Sequence, residues 1–155
     1  DALRSIGANI VFHKVAMRPG KPILFAILPN GTLYFGLPGN PISSAVGFRF
    51  FVQLAIQTMQ GIASESPMHL PLAHSVVKKS GFTLLQKAKL TVDASGQLKV
   101  SLLKGQESFR IQPLLHSNAW ALLPEDADSL AENTLVELYG LHGMGVTISA
   151  STDES

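Results

Sequence analysis

Apolar positions fall into two rhythms along this chain. In the first, short β-branched or aromatic runs bounded by turn residues predict strands over Ala8–Ala16, Ile23–Leu28 and Thr32–Leu37. Pro29-Asn30-Gly31 between the last two predicts a hairpin turn, since Gly accepts positive φ and Asn forms local turns. From Pro41 to about Gln60 the pattern turns helical, and apolar side chains cover most of the circumference. Arg49, Gln53, Gln57 and Gly47 interrupt it, spaced like the outer stripe of a core helix rather than a membrane span. Such a helix is expected to be buried between a sheet and a second subunit, with Gly61 as its stop.

The second rhythm starts after Ala63–Pro71, where Ser64, Ser66, Pro67 and Pro71 mark a linker. Short runs at Leu70–Val77, Phe82–Val92, Leu98–Leu103, Ala119–Leu123 and Thr134–Leu138 alternate with turn clusters such as Asp93-Ala94-Ser95-Gly96. That density of turns predicts a small all-β domain, a barrel or open sandwich. Gln106–Asn118 reads as a strand followed by a short helical turn, and the small, polar segment after Gly145 as disordered. Asp1–Gly7 reads as the last turns of a helix whose start lies upstream, which points to a fragment. The expected division is 1–64 α/β, 65–145 all-β and 146–155 tail.

Composition narrows the classes. With 46% apolar and 15% charged residues among 155, the chain is globular. It has no cysteine, so it carries neither disulfides nor thiolate chemistry, which suits a reducing, cytoplasmic setting. Charge is uneven: before Glu65 the basic residues Arg4, Lys14, Arg18, Lys21 and Arg49 face only Asp1, whereas no Lys or Arg follows Arg110. A basic first half without basic–aromatic clusters suits a small, multiply charged ligand rather than nucleic acid. The five histidines have no metal-ligand spacing, and there is no Gly-x-Ser-x-Gly elbow, Walker loop or Rossmann fingerprint.

Two loops hold the candidate chemistry. Met17-Arg18-Pro19-Gly20-Lys21-Pro22 is a rigid loop from which Arg18 and Lys21 can clamp one anion. Gly36-Leu37-Pro38-Gly39-Asn40-Pro41 leads from a strand to a helix start. There Asn40 suits the N-cap and Pro41 the first helical position, so free N–H groups and the helix dipole face any anion present. The alternative is a well-made turn that binds nothing. Ser43 and Ser44, in the first turn, serve either as capping support or as anion contacts.

Lys14-Val15-Ala16-Met17-Arg18-Pro19-Gly20-Lys21-Pro22 together with Gly36-Leu37-Pro38-Gly39-Asn40-Pro41-Ile42-Ser43 resembles the carboxy-terminal part of the molybdopterin molybdenumtransferases, bacterial molybdenum-cofactor enzymes related to the gephyrin E domain. Gln106-Glu107-Ser108, Ser117-Asn118 and Leu122-Leu123-Pro124-Glu125 are similar to the family's last domain. The resemblance implies the second half of a three-layer α/β molybdopterin-binding domain followed by a small β-barrel. It also implies Mg2+-dependent hydrolysis of adenylylated molybdopterin with insertion of molybdate, and a homodimer, with the acidic metal ligands upstream of Asp1. Carried over residue by residue, it makes Lys14, Arg18, Lys21, Pro38, Gly39, Asn40, Pro41, Ser43, Gln106 and Ser108 the substrate and anion contacts, with no catalytic or metal residue in this chain. Arg18 stands where the family usually has lysine, Pro113 replaces a common serine, and the usual arginine-rich strand reads Gln86-Lys87-Ala88-Lys89. The other readings are a binding or dimerisation module, and a structural domain whose loop is only a turn.

Overall fold

The computed structural model describes residues 2–105, 112–143 and 145–146. A short helix, α1 (Ala2–Ser5), closes at Gly7, whose positive φ lets Gly7 N–H and Ala8 N–H bond the carbonyls of Arg4 and Leu3. Strands β1 (Asn9–His13), β3 (Leu24–Ile27) and β4 (Leu33–Gly36) form an antiparallel sheet in the order β1-β3-β4. The runs of β-branched and aromatic residues thus become strands as expected, and Pro29-Asn30-Gly31 turns between β3 and β4. One face carries an aromatic ladder: the Phe25 ring lies 5.7 Å from Phe12 and 4.8 Å from Phe35, and Phe12 also meets Phe51 of the following helix.

That helix is continuous but not uniform. It runs as α2 (Pro41–Gly47), a π segment over Phe48–Val52, and α3 (Gln53–Met59). The Gln53 N–H reaches back five residues to the Phe48 carbonyl. The expected outer polar stripe is corrected: Arg49 is buried, Gln53 and Gln57 are half-buried, and Phe48, Leu54, Ile56 and Met59 are exposed instead. The cause lies across the molecule. Arg49, Gln53 and Gln57 share one face and donate to the carbonyls of Gly140, His142 and Gly143. No helix among the described residues is long and apolar enough to cross a membrane.

The second sheet holds β2 (Met17–Arg18), β5 (Met68–Pro71), β7 (Thr83–Val92), β8 (Leu98–Leu102), β9 (Ala119–Leu123) and β11 (Leu135–Gly140). Its order is β2-β7-β9-β11-β5, and β8 pairs with the far half of β7. Ala88 in β7 pairs with Leu102 on one side and Ala119 on the other. The sheet curls until its outer members meet at one parallel bridge, Leu72 to Val100, where Ala73 N–H donates to the Val100 carbonyl. The small strands β6 (Val76–Val77) and β10 (Ser129–Leu130) pair beside it. At the β7–β8 hairpin the Asp93 carboxylate accepts hydrogen bonds from Ser95 and Gln97, which hold it below the usual carboxylate range. A one-turn helix, α4 (Gln112–Leu115), precedes β9, which fits the expected helical turn; Val146, the first residue of the tail expected to be disordered, packs against the sheet's core, and residues 106–111 and 147–155 lie outside the described residues.

Two apolar clusters hold these layers. One fills the curled sheet around Leu72, Ala88, Val100, Leu123 and Leu138. The other joins both halves, packing Met17, Ile23, Ile42 and Val46 against Leu85 and Trp120. The architecture is mixed α/β and mostly sheet, as the sequence predicts. Met17 and Arg18, expected in a rigid loop, instead form β2 and pair in parallel with Thr83 and Leu84, so the first half donates a strand to the second.

Candidate functional site

The loop between β1 and β3 is drawn tight by its own backbone. Lys14 N–H donates to the Ile23 carbonyl at 2.9 Å, Val15 N–H to Lys21 at 2.9 Å, and Ile23 N–H to Gly20 at 3.1 Å. Lys14 takes φ +70°, a left-handed conformation uncommon outside glycine, and its side chain is exposed. Gly20 has φ +111°, and a Cβ there would sit 2.9 Å from the Met17 side chain and 3.1 Å from Ile23, so only glycine fits the crossing. The Arg18–Pro19 peptide is cis.

Arg18 and Lys21 leave this loop in the same direction. The Arg18 guanidinium lies 3.9 Å from the centroid of the Phe82 ring and the Lys21 ammonium 5.5 Å from it. Phe82 directly precedes β7, and its place is fixed by backbone: Thr83 N–H donates to Ala16, and Lys78 Nζ donates to the Phe82 carbonyl at 3.2 Å. Lys14, Arg18 and Lys21 have no carboxylate partner among the described residues. The two cations expected to act together are therefore brought together. Sequence reasoning missed the aromatic ring that joins them, because it lies about sixty positions further along the chain, just before β7.

The Gly36–Pro41 turn stands at the same end of the hairpin, since Leu24 pairs with Gly36. Pro38 is half-buried, and Gly39 and Pro41 are exposed. The expected cap is corrected: Asn40 occupies the N-cap position, at φ −75° and ψ 129°, but its side chain makes no capping hydrogen bond, and its buried Oδ1 has no hydrogen-bond partner among the described residues. The turn is fastened by Ser44 instead, whose hydroxyl donates to the Pro38 carbonyl, while Ser44 N–H bonds the Asn40 carbonyl. Ser43 is buried on the inner face of α2 beside Ile42 and Val46. Gln106 and Ser108 lie outside the described residues.

A second polar centre, also missed, ties the helix to β11. Arg49 Nε donates to the Gly140 carbonyl at 3.0 Å, its terminal nitrogen pairs with Glu65, and Glu65 accepts the Gly140 N–H at 2.9 Å. The Phe50 ring carries the Arg49 guanidinium, 4.9 Å from its centroid, and meets Tyr139 edge-on, the two ring centroids being 5.4 Å apart. Tyr139 donates to Glu137, and burial, with that hydrogen bond, pushes its phenol up to about 12. Beside this centre a cavity of about 770 Å3 opens between the π segment and α4, walled by Phe48, Leu114, Trp120 and Leu141 with Arg49 and His142 at its polar points. None of Lys14, Arg18, Lys21 or Phe82 lines it.

A strand hairpin feeding a helix, followed by a curled sheet, is an arrangement similar to that of solved proteins. A molybdenum cofactor biosynthesis protein from Pyrococcus furiosus is similar over 84% of this chain and 45% of its own, with a TM-score of 0.68 and 25% identity. A molybdopterin biosynthesis MoeA protein from Pyrococcus horikoshii is similar over 91% of this chain and 34% of its own, with a TM-score of 0.66 and 25% identity. Residues 1–58 match the probable molybdopterin binding domain and residues 69–141 the MoeA C-terminal region, domain IV. A molybdopterin molybdenumtransferase from Synechococcus elongatus is 40% identical over 90% of this chain, and one from Staphylococcus aureus 32% over 80%. The chain belongs to the molybdopterin molybdenumtransferase family and corresponds to its C-terminal part. It spans about a third of the length of these relatives.

Proposed function

We propose that this chain supplies the anion-holding portion of an enzyme that inserts molybdate into adenylylated molybdopterin, the activity the family resemblance implies. The observation that carries the reading is the convergence of Arg18 and Lys21 on Phe82, with no carboxylate to neutralise them among the described residues. Cations left unpaired at a rigid loop stabilise a multiply charged phosphate or oxyanion, and Arg adds a planar fork suited to two oxygens. Lys14, Pro38, Gly39, Asn40 and Pro41 form the adjoining rim of that proposed site. Its charged groups are cations, and among the described residues no group of three or more His, Asp or Glu side chains could hold a metal. These residues do not fit Mg2+, and no step is derived through that ion.

The test is isothermal titration of a stable phosphorylated pterin into the chain and into a Lys14→Ala, Lys21→Ala double variant, at low and moderate salt. Binding by the parent that weakens with salt and is lost in the double variant is the expected result. Equal binding by both, or none by the parent, refutes the assignment.

A further inference from the structure

Two like charges on long, exposed side chains separate unless something holds them, because each has wide rotamer freedom and each repels the other. Arg18 and Lys21 nevertheless both lie against one ring. We propose that Phe82 is the positioning residue of this loop: its ring, delivered from the second half of the molecule, holds the Arg18 and Lys21 cations convergent so that one anion meets both. The inference rests on the anion reading above and adds to it the residue that assembles the site.

Three observations carry it. The ring's negative face attracts cations, and a guanidinium 3.9 Å from the centroid is in stacking contact. The main chain that carries the ring is anchored beside the loop, because Met17 and Arg18 pair in parallel with Thr83 and Leu84, and Thr83 N–H bonds the Ala16 carbonyl at 2.9 Å. A third cation arrives on the same residue's main chain, where the buried Lys78 donates to the Phe82 carbonyl. The cationic locus therefore lies on the seam: the first half supplies Arg18 and Lys21, and the second supplies the surface on which they are set. No apolar packing role requires this pair of contacts, since both partners are exposed and charged.

The experiment uses the full chain with inorganic pyrophosphate as probe. In two-dimensional NMR spectra, the side-chain methylene signals of Arg18 and Lys21 next to their charged groups should be shifted upfield by the ring. Those shifts should persist in Phe82→Tyr and vanish in Phe82→Leu. Pyrophosphate affinity should fall roughly fivefold to tenfold in Phe82→Leu and stay within about twofold of the parent in Phe82→Tyr. Absence of the ring shifts in the parent overturns the proposal without any variant, and so does unchanged affinity in a folded Phe82→Leu. Ring shifts in a parent that does not bind pyrophosphate refute the anion reading alone, and show Phe82 holding the two cations without a ligand.

Discussion

Arg49→Ala is the most informative single change, because its side chain is the hinge pin between the helix and β11. Arg49 is 8% exposed and the Glu65 side chain 13%, so the pair is shielded from water. Truncation removes the Arg49–Gly140 hydrogen bond and leaves the Glu65 carboxylate without its cation. Breaking a buried pair from one side costs about 3–5 kcal/mol, because the remaining charge is stranded. In a chain of 155 residues this lowers Tm by on the order of 10 °C. Glu65→Gln keeps an oxygen for the Gly140 N–H but strands Arg49 in turn, whereas Arg49→Ala with Glu65→Gln strands neither charge. The double variant should therefore lose less than the sum of the singles, with a coupling of about 1–3 kcal/mol. Urea unfolding followed by the fluorescence of Trp120, 2% exposed and the chain's one tryptophan, measures all three. A loss below about 1 kcal/mol for Arg49→Ala, with additive singles, is the behaviour of a solvated surface pair and refutes the reasoning.

Gly140→Ala should cost about 1–3 kcal/mol or more in the same assay, since a Cβ there collides with the Gly145 main chain, and backbone cannot rotate aside as a side chain does. Tyr139 gives a pH dependence. Its folded value of about 12 lies above the ordinary 10, so its contribution is fully present below pH 10 and is lost as pH rises through about 12. Urea midpoints measured across that window should fall more steeply for the parent than for Tyr139→Phe; parallel declines reject the assignment.

Local elements were legible in the sequence because local chemistry sets them. The Pro29-Asn30-Gly31 turn, the alternating strands and the Pro41 helix start follow from φ preferences and periodicity alone. Arg18 and Lys21 were also legible as a pair, since two prolines and a glycine hold their loop. What could not be read is whatever depends on a partner far along the chain. Met17 and Arg18 lack the length of a strand and become one only because Thr83 and Leu84 lie alongside. The same cause explains the inverted helix. Arg49, Gln53 and Gln57 at four-residue spacing look like a solvated stripe, and by periodicity they are indistinguishable from one. They face inward, where the end of β11 and its turn present three carbonyls to which they donate, each such bond adding about 0.5–1.5 kcal/mol net. Once the polar face is committed inward, the apolar residues Phe48, Leu54, Ile56 and Met59 have only the outside left. Their exposure thus belongs to the same seam that gathers Arg18 and Lys21 on Phe82: in both places the two halves meet through cations, set on a carbonyl and a carboxylate at Arg49 and on an aromatic ring at Phe82, as well as through apolar packing.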